Sequence, residues 1–221
     1  MKGLVVFDWN GTVIDDIAFA LIEANAAITR YGGKPLTLEE FQSEVFTPRI
    51  DFYLTRDCHP RMRDEVQEVA HYSHEILHQY SSKVSLRRGV KEVIQFLAQK
   101  GISMVILSNH IESQIQEQLA RYRLTEYFAT VLANIDSSDY YRGVTKGPRL
   151  KHYLDGLPTT PEQIVLIGDT VEEIEIAREV GGIAIALEGG INSRGRLELG
   201  RPDLLLRELE EALPFFQELY R

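Results

Sequence analysis

Four short apolar runs constrain the fold of this chain more than any other feature. Each run is about the length of a β-strand, each is followed by polar or glycine residues, and they lie at residues 3–8, 103–109, 163–169 and 182–189. Their apolarity is continuous and not alternating, which indicates strands covered on both faces, as in a parallel sheet. A weaker fifth candidate lies at residues 128–133.

Helical patterns separate these runs. The spacing of apolar residues predicts helices over residues 89–100, 111–122, 147–154 and 171–180, and a last amphipathic helix over 203–220. Strands and helices therefore alternate along the chain. This alternation predicts an α/β fold, a Rossmann-like, doubly wound parallel sheet.

One stretch, residues 16–83, breaks the alternation because it has helical periodicity without a convincing strand. Turn and capping signals there predict a helix over 16–31, a second from Thr37, a long third over 60–80, and a loop at 47–49. We read it as an inserted helical subdomain. The predicted domains are a Rossmann-like core, residues 1–15 and 84–221, and the inserted helical subdomain, residues 16–83.

Composition excludes several partners. The chain of 221 residues has 24 Lys and Arg against 33 Asp and Glu, a net charge of −9, and no long basic run, which argues against nucleic acid. The single Cys58 cannot form an intrachain disulfide, as suits a reducing cytoplasm. Asp8 interrupts the first apolar run too early for a signal peptide or membrane span. We expect a cytoplasmic protein that does not bind membranes; the pattern leaves its oligomeric state open.

Polar residues follow three of the predicted strands directly. They are Asp8 to Thr12, Ser108-Asn109 and Gly168-Asp169. In an open parallel sheet, ligands bind outside the carboxyl ends of the strands, so these groups should converge. Two neighbouring carboxylates favour a cation, and hard oxygen ligands suit Mg²⁺. With a lysine added, such a group would polarise a phosphoryl.

Four segments in this order resemble the motifs of the haloacid dehalogenase superfamily. They are FDWNGT at 7–12, LSN at 107–109, Lys146, and GDTVEE at 168–173. Any one of them is weak evidence, but four in order at strand ends are specific. The helical insert after the first motif is similar to the cap of phosphoglycolate phosphatase-like members. The resemblance thus extends over nearly the whole chain.

The resemblance implies a Mg²⁺-dependent hydrolase of a small phosphorylated metabolite. Asp8 would attack phosphorus and form an aspartyl-phosphate, which splits hydrolysis into two easier steps. Mg²⁺ would be held by Asp8, the backbone carbonyl of Asn10, and Asp169. The phosphoryl oxygens would be bound by Ser108, Asn109 and Lys146. Lys151 competes with Lys146 for this role, but its spacing to Gly168 is short for the family.

Two positions depart from the family pattern. Asn10 replaces the aspartate that serves as general acid and base, and an amide can do neither. This predicts slow turnover of ordinary phosphomonoesters, or a substrate whose leaving group needs no proton, such as an acyl phosphate. A different alternative is an impaired phosphate- and metal-binding module with a regulatory role. Glu173 replaces a second aspartate and keeps its charge, so a water-mediated contact to the ion remains feasible.

Trp9 and Arg49 are further candidates for substrate contacts. The D-W-x-G-T pattern around Trp9 also resembles phosphonoacetaldehyde hydrolase, which uses a cap lysine to form a Schiff base. Here the corresponding segment, FTPRID at 46–51, offers Arg49, whose guanidinium cannot do so, which argues against phosphonatase chemistry. Arg49 would bind an anionic part of the substrate instead. Dehalogenation is also disfavoured, because it needs no metal and Asp169 supplies a ligand for one.

Overall fold

A computed structural model describes residues 2–221. The described residues form these strands: β1 Leu4–Phe7, β2 Ile14–Asp15, β3 Ser85–Leu86, β4 Ser103–Ile111, β5 Thr130–Asn134, β6 Ile164–Gly168, β7 Ile183–Leu187 and β8 Leu204–Leu206. Six of them form one sheet in the order β5-β4-β1-β6-β7-β8, in which every neighbouring pair is parallel. This confirms the predicted α/β class and places β1 inside the sheet.

Helices cover the sheet and form the segment between β2 and β3. They are α1 Ile17–Arg30, α2 Leu38–Glu44, α3 Arg49–Leu54, α4 Val66–Tyr80, α5 Val90–Gln99, α6 Glu112–Tyr122, α7 Ser138–Arg142, α8 Gly147–Asp155, α9 Val171–Glu179, α10 Arg194–Gly200 and α11 Leu213–Leu219. Within residues 2–221, none of these helices is long and apolar enough to cross a bilayer.

The continuous apolarity of β1 follows from its position in the sheet. Val5 and Phe7 belong to an apolar cluster on one face, and Leu4 and Val6 belong to a second cluster on the other face. All four side chains are almost completely buried, and each contributes about 1.5–3 kcal/mol to folding through its removal from water. Packing on both faces therefore fixes the strand. After its last residue the chain leaves the sheet at the side formed by the carboxyl ends of the strands.

Two sequence predictions in the helical segment were wrong in detail. The expected loop at 47–49 ends at Pro48, because α3 begins at Arg49 and buries Ile50, Phe52 and Tyr53. A proline immediately before a helix is compatible with that start. The long helix over 60–80 is divided: Pro60–Arg63 is a 3₁₀ turn that buries Met62, and α4 starts only at Val66.

The predicted helix over 203–220 was also wrong at its start. Leu204–Leu206 is the edge strand β8, which pairs with β7 from Ile185↔Leu204 to Leu187↔Leu206. Three consecutive leucines show no helical period, and hydrogen bonds to the exposed edge of β7 decide their conformation. A 3₁₀ turn, Leu209–Ala212, and then α11 follow.

The segment between β2 and β3 joins the sheet through these two short strands. They pair antiparallel, Ile14 with Leu86 and Asp15 with Ser85, so the chain leaves and returns at one place. Helices α1 to α4 lie between them and share an apolar cluster that also takes in Tyr141 from α7. The division into a core and a cap at residues 16–83 remains our proposal for the domain organisation.

Candidate active site

A cavity of about 430 Å³ opens between the carboxyl ends of the sheet strands and the helical segment. The strand ends and the loops after them contribute Asp8, Asn10, Ser108, Asn109, Lys146 and Asp169 to its wall. The helical segment contributes Glu23, Phe41, Arg49 and His74, among others. Residues more than 160 positions apart in the sequence therefore meet at one edge of the sheet, as the parallel topology requires.

Asp8 lies directly after β1 and is only 6% exposed. Its backbone N–H donates to the Ile167 carbonyl of β6 over 2.9 Å, which fixes the position of the residue. Its Oδ1 accepts a hydrogen bond of 2.6 Å from Lys146 Nζ. Burial raises the pKa of Asp8 well above its ordinary value, while the neighbouring ammonium of Lys146 acts in the opposite direction.

Lys146 precedes α8 and is 3% exposed, whereas Lys151, one turn into that helix, is exposed to solvent. The Lys146 ammonium lies between two carboxylates, those of Asp8 and Glu173, and forms an ion pair with each. Burial alone would lower the pKa of Lys146, but these carboxylates raise it well above its usual value. Of the two candidate lysines, the structure brings Lys146 to Asp8.

Asp169 follows β6 and is 1% exposed. Its Oδ2 accepts a hydrogen bond of 2.5 Å from the Ile191 N–H. Burial, followed by repulsion from Glu173, raises the pKa of Asp169 to about 7. The backbone passes very close to this carboxylate, because a Cβ added to Gly11 would lie 2.2 Å from Asp169 Oδ2, and Gly11 also has a φ of +73°. Both facts require glycine there.

These oxygens are a suitable donor set for Mg²⁺. Asp8 and Asp169 are buried carboxylates whose pKa values are raised first by burial, and a divalent cation bound between them would favour their charged forms. The backbone carbonyl of Asn10 accepts no backbone hydrogen bond among residues 2–221, so it is free to act as a third ligand. Within the same residues, no group of three or more His, Cys, Asp and Glu side chains forms a metal site, and the expected set contains only two.

Asn10, the residue that replaces the general acid, is held by a side chain that the sequence prediction missed. Its Nδ2 donates to Asp16 Oδ2 over 2.5 Å, and the Gly11 N–H donates to the other oxygen, Oδ1, over 2.8 Å. Asp16 immediately precedes α1 and lines the cavity. Burial raises the pKa of Asp16 to about 6, although the two hydrogen bonds oppose this shift. The sequence analysis placed Asp16 only at the start of the predicted helix over 16–31 and gave it no role at the site.

Ser108 and Asn109 lie in β4 at the cavity wall, and Ser108 is 2% exposed. The orientation of Asn109 is fixed by two residues that the sequence did not single out. Asn109 Nδ2 donates to Glu172 Oε2 over 3.0 Å, and Asn109 Oδ1 accepts from Arg149 over 2.9 Å. Glu172 Oε1 also accepts from the Lys146 N–H over 3.0 Å. One carboxylate thus positions two of the predicted phosphoryl-binding residues.

Glu173 lies in the first turn of α9 and is 3% exposed. Its Oε2 accepts from the Thr170 N–H over 2.9 Å, which completes a capping box at the start of the helix. Its Oε1 pairs with Lys146. The side chain therefore both caps the helix and holds the lysine, and a Cβ at Gly168 would lie only 2.1 Å from Glu173 Cγ.

The structure does not bring Trp9 to the cavity. The Trp9 side chain is completely buried in the apolar cluster on one face of the sheet, and its Nε1 donates to Gln118 Oε1 of α6 over 2.6 Å. The predicted substrate contact of Trp9 therefore does not carry over to this geometry. The physical reason is the strand-like alternation after Phe7, which directs the indole into the core.

Arg49 does lie on the cavity wall, but as a buried residue of α3 and not as a loop side chain. It is 5% exposed, and its guanidinium stacks over the rings of Phe41 and Tyr140, with Cζ 5.4 and 5.0 Å from the ring centroids. Arg49 also donates a hydrogen bond to the Tyr140 hydroxyl. It faces the cavity from the side opposite to the sheet.

The α/β core thus brings a buried aspartate, a lysine and a second aspartate together at the strand ends, an arrangement that a class of hydrolases shares. The chain belongs to this class: residues 5–187 match the model of the haloacid dehalogenase-like hydrolase family. The chain is therefore a haloacid dehalogenase-like hydrolase.

Individual relatives are similar over the whole length. The phosphoglycolate phosphatase of Synechococcus elongatus is 25% identical over 98% of each chain, and that of Vibrio vulnificus strain YJ016 is 23% identical over 95% of this chain and 94% of the relative. Among solved structures, a predicted phosphatase from Clostridium acetobutylicum has a TM-score of 0.80 at 15% identity over 99% of both chains. The structural likeness supports the fold.

Proposed function

We propose that the chain is a Mg²⁺-dependent phosphatase that acts on a small phosphorylated metabolite through an aspartyl-phosphate on Asp8. One observation carries this proposal: the Asp8 carboxylate, at the carboxyl end of a central strand, shares the cavity with Ser108 and Asp169 and contacts Lys146 at 2.6 Å. The names of the relatives, which are phosphoglycolate phosphatases, support a phosphate monoester as the substrate.

In the first step, a carboxylate oxygen of Asp8 attacks phosphorus and the bond to the leaving oxygen breaks. Lys146, Ser108 and Asn109 bind the phosphoryl oxygens while charge develops on them. In the second step, water attacks the phosphorus of the aspartyl-phosphate, the bond to Asp8 breaks, and inorganic phosphate leaves. The ion pairs of Lys146 keep its ammonium protonated and aimed at the site throughout.

Asp8, the Asn10 carbonyl and Asp169 would hold Mg²⁺, which supplies positive charge to the phosphoryl oxygens when it is bound. Glu173 holds Lys146 and would add negative charge near the bound ion. Arg49 binds an anionic group at the far end of the substrate. A molecule of small size suits a cavity of about 430 Å³ with charged groups at both ends.

The amide of Asn10 neither gives a proton to the leaving oxygen nor takes one from water. General acid–base catalysis typically raises a rate by about 10²- to 10⁴-fold, so alkyl phosphates should be hydrolysed more slowly by that factor than by an enzyme with an aspartate at position 10. An acyl phosphate has a leaving group that needs no proton and should escape this penalty in the first step. We therefore expect acetyl phosphate to be hydrolysed faster than alkyl phosphates of similar size.

The test is Mg²⁺-dependent phosphate release from a panel that contains phosphoglycolate, other alkyl phosphates and acetyl phosphate. The proposal expects activity that EDTA abolishes and that Asp8→Asn removes, with Lys151→Met as an active control because this lysine is exposed. If the wild type is inert on the whole panel and stays inert as Asn10→Asp, the catalytic proposal is wrong. A metal- and phosphate-binding module with a regulatory role would then be the better account.

A further inference from the structure

The cavity wall opposite the sheet holds two opposite charges, Glu23 and Arg49, of which the proposed function uses only Arg49. Glu23 of α1 is 7% exposed and Arg49 of α3 is 5% exposed, and both line the cavity that also contains Asp8. A charge buried to this extent costs several kcal/mol unless it finds a partner. The partners of these two side chains therefore indicate what the cavity is built to bind.

Glu23 is held in place from one side only. Its Oε1 accepts hydrogen bonds from the Tyr53 hydroxyl over 3.2 Å and from the Tyr141 hydroxyl over 2.9 Å. Burial, with the charge of Glu23 adding to it, raises the pKa of both tyrosines well above the usual value, so both hydroxyls stay protonated and donate. The other carboxylate oxygen, Oε2, accepts no hydrogen bond within residues 2–221.

Arg49 is also only partly satisfied. Its Nη2 donates to the Tyr140 hydroxyl, and two aromatic rings enclose the guanidinium plane. Its Nη1 is fully buried and has no hydrogen-bond partner among the described residues. A guanidinium carries five N–H donors in one plane, so this arrangement leaves N–H groups without an acceptor, and a planar anion is the group that matches them.

Glu23 and Arg49 do not neutralise each other by contact. In the part of the chain that the structure describes, neither forms an ion pair within 4.0 Å, and their hydrogen bonds go to tyrosines. An acceptor-only carboxylate and a donor-only guanidinium thus face one cavity from neighbouring helices. Phosphoglycolate, which has a carboxylate and no donor, would satisfy Arg49 and leave the Oε2 atom of Glu23 without a donor.

We propose that the substrate is a phosphate monoester of an amino acid, whose ammonium group binds Glu23 and whose carboxylate binds Arg49 while the phosphoryl group lies at Asp8. The inference rests on the proposed function for the phosphoryl end of the same cavity. It adds the chemistry of the other end, which is zwitterionic. The ammonium supplies the donor that Oε2 of Glu23 lacks, and each charged contact is made where water is excluded.

The test compares phosphate monoesters with different groups at the far end. O-phosphoserine and 3-phosphoglycerate differ only by an ammonium against a hydroxyl. Phosphoglycolate carries the carboxylate alone, on a chain one carbon shorter, and phosphoethanolamine carries the ammonium alone. Affinities are measured by calorimetry on the Asp8→Asn variant, or on metal-free wild type if that variant does not fold, and kcat/KM is measured on the wild type with Mg²⁺. We expect O-phosphoserine to exceed each of the other three by about tenfold or more in both measurements.

The variant Glu23→Gln removes the charge but keeps an acceptor for the two tyrosines. It should lower the preference for O-phosphoserine over 3-phosphoglycerate by about tenfold, with an unchanged melting temperature. Glu39→Gln is the matched control, because Glu39 is an exposed glutamate of α2 with no side-chain partner among the described residues. It should leave the preference unchanged.

The outcomes separate the two proposals. Hydrolysis of the panel without a preference for O-phosphoserine, or a preference that survives Glu23→Gln, overturns the inference and leaves the phosphatase proposal standing. Selective binding of O-phosphoserine without hydrolysis of any ester supports the inference and contradicts the phosphatase proposal. If none of the four esters binds, both are wrong.

Discussion

Replacing Lys146 by methionine gives the sharpest test of the charge arrangement at the site. The Lys146 ammonium is 3% exposed and forms ion pairs with Asp8, at 2.6 Å, and with Glu173. Methionine fills a similar volume but leaves two carboxylates buried together without a cation. Removing one partner of a buried ion pair typically destabilises a protein by about 3–5 kcal/mol, and here both carboxylates lose their partner. We expect a loss within this range or above it.

The free energy of unfolding is measured by urea titration in metal-free buffer at pH 7. Lys151→Met is the matched control, since this lysine is exposed in the same helix and its loss should stay within about 0.5 kcal/mol. Equal effects of the two substitutions would refute the argument that a buried lysine holds the carboxylates. A loss under about 1 kcal/mol for Lys146→Met would do the same.

The pH dependence of this loss has a definite sign. Burial already raises the pKa of Asp8 in the folded wild type, and removing the lysine raises it further. A carboxyl whose folded pKa lies above its unfolded pKa binds a proton more tightly when folded, so its penalty is present at high pH and vanishes as pH falls. The difference in free energy of unfolding between wild type and Lys146→Met should therefore narrow from pH 8 to pH 5. A gap that widens over this range would contradict the account.

Three further substitutions test separate parts of the structure. Trp9→Phe should lower the free energy of unfolding, measured in urea, by about 1–3 kcal/mol, because a buried hydrogen bond is lost. The KM for every good substrate should stay unchanged. A raised KM would show that Trp9 contacts the substrate after all. Gly11→Ala should destabilise the chain by at least about 1 kcal/mol, since the added Cβ would meet the Asp169 carboxylate. The same contact should weaken Mg²⁺ binding measured by calorimetry. An unchanged Mg²⁺ affinity would contradict the proposed role of Asp169. The double variant Asn10→Asp, Asp16→Asn keeps an amide opposite a carboxylate. It should raise kcat on alkyl phosphates by about 10²-fold or more. An unchanged kcat would show that the missing general acid at position 10 does not limit turnover.

The sheet could be predicted from the sequence because each of its five main strands carries a local signal. Continuous apolar runs such as the one at Leu4–Phe7 need no knowledge of distant residues. The strand at Leu204–Leu206 has no such signal of its own, because its conformation is decided by pairing with Ile183–Leu187. The helix at Arg49–Leu54 is short, and its packing against the helical segment stabilises it more than its intrinsic propensity does.

Some residues of the site could likewise be predicted from the sequence, and others could not. Asp8, Ser108 and Asp169 could be proposed because each lies in a motif read from consecutive residues, and Lys146 because of its place in the order of the motifs. Glu23 carries no such signal: its partners Tyr53 and Tyr141 lie 30 and 118 positions away. Its burial depends on how α1, α3 and α7 pack together. The residues proposed for the phosphoryl end, and Arg49 at the other end, could thus be read from the sequence, whereas Glu23 becomes apparent only in three dimensions.

The central claim is that Asp8 is the residue that accepts the phosphoryl group, and beryllofluoride tests it most directly, because this anion imitates a phosphoryl group on a carboxylate. The measurement is ¹⁹F NMR of the protein with beryllium, fluoride and Mg²⁺, with Asp8→Asn and Glu39→Gln alongside. We predict protein-bound beryllofluoride signals that require Mg²⁺, persist in Glu39→Gln and disappear in Asp8→Asn. Signals that persist unchanged in Asp8→Asn would show that another group is the acceptor and would contradict the account.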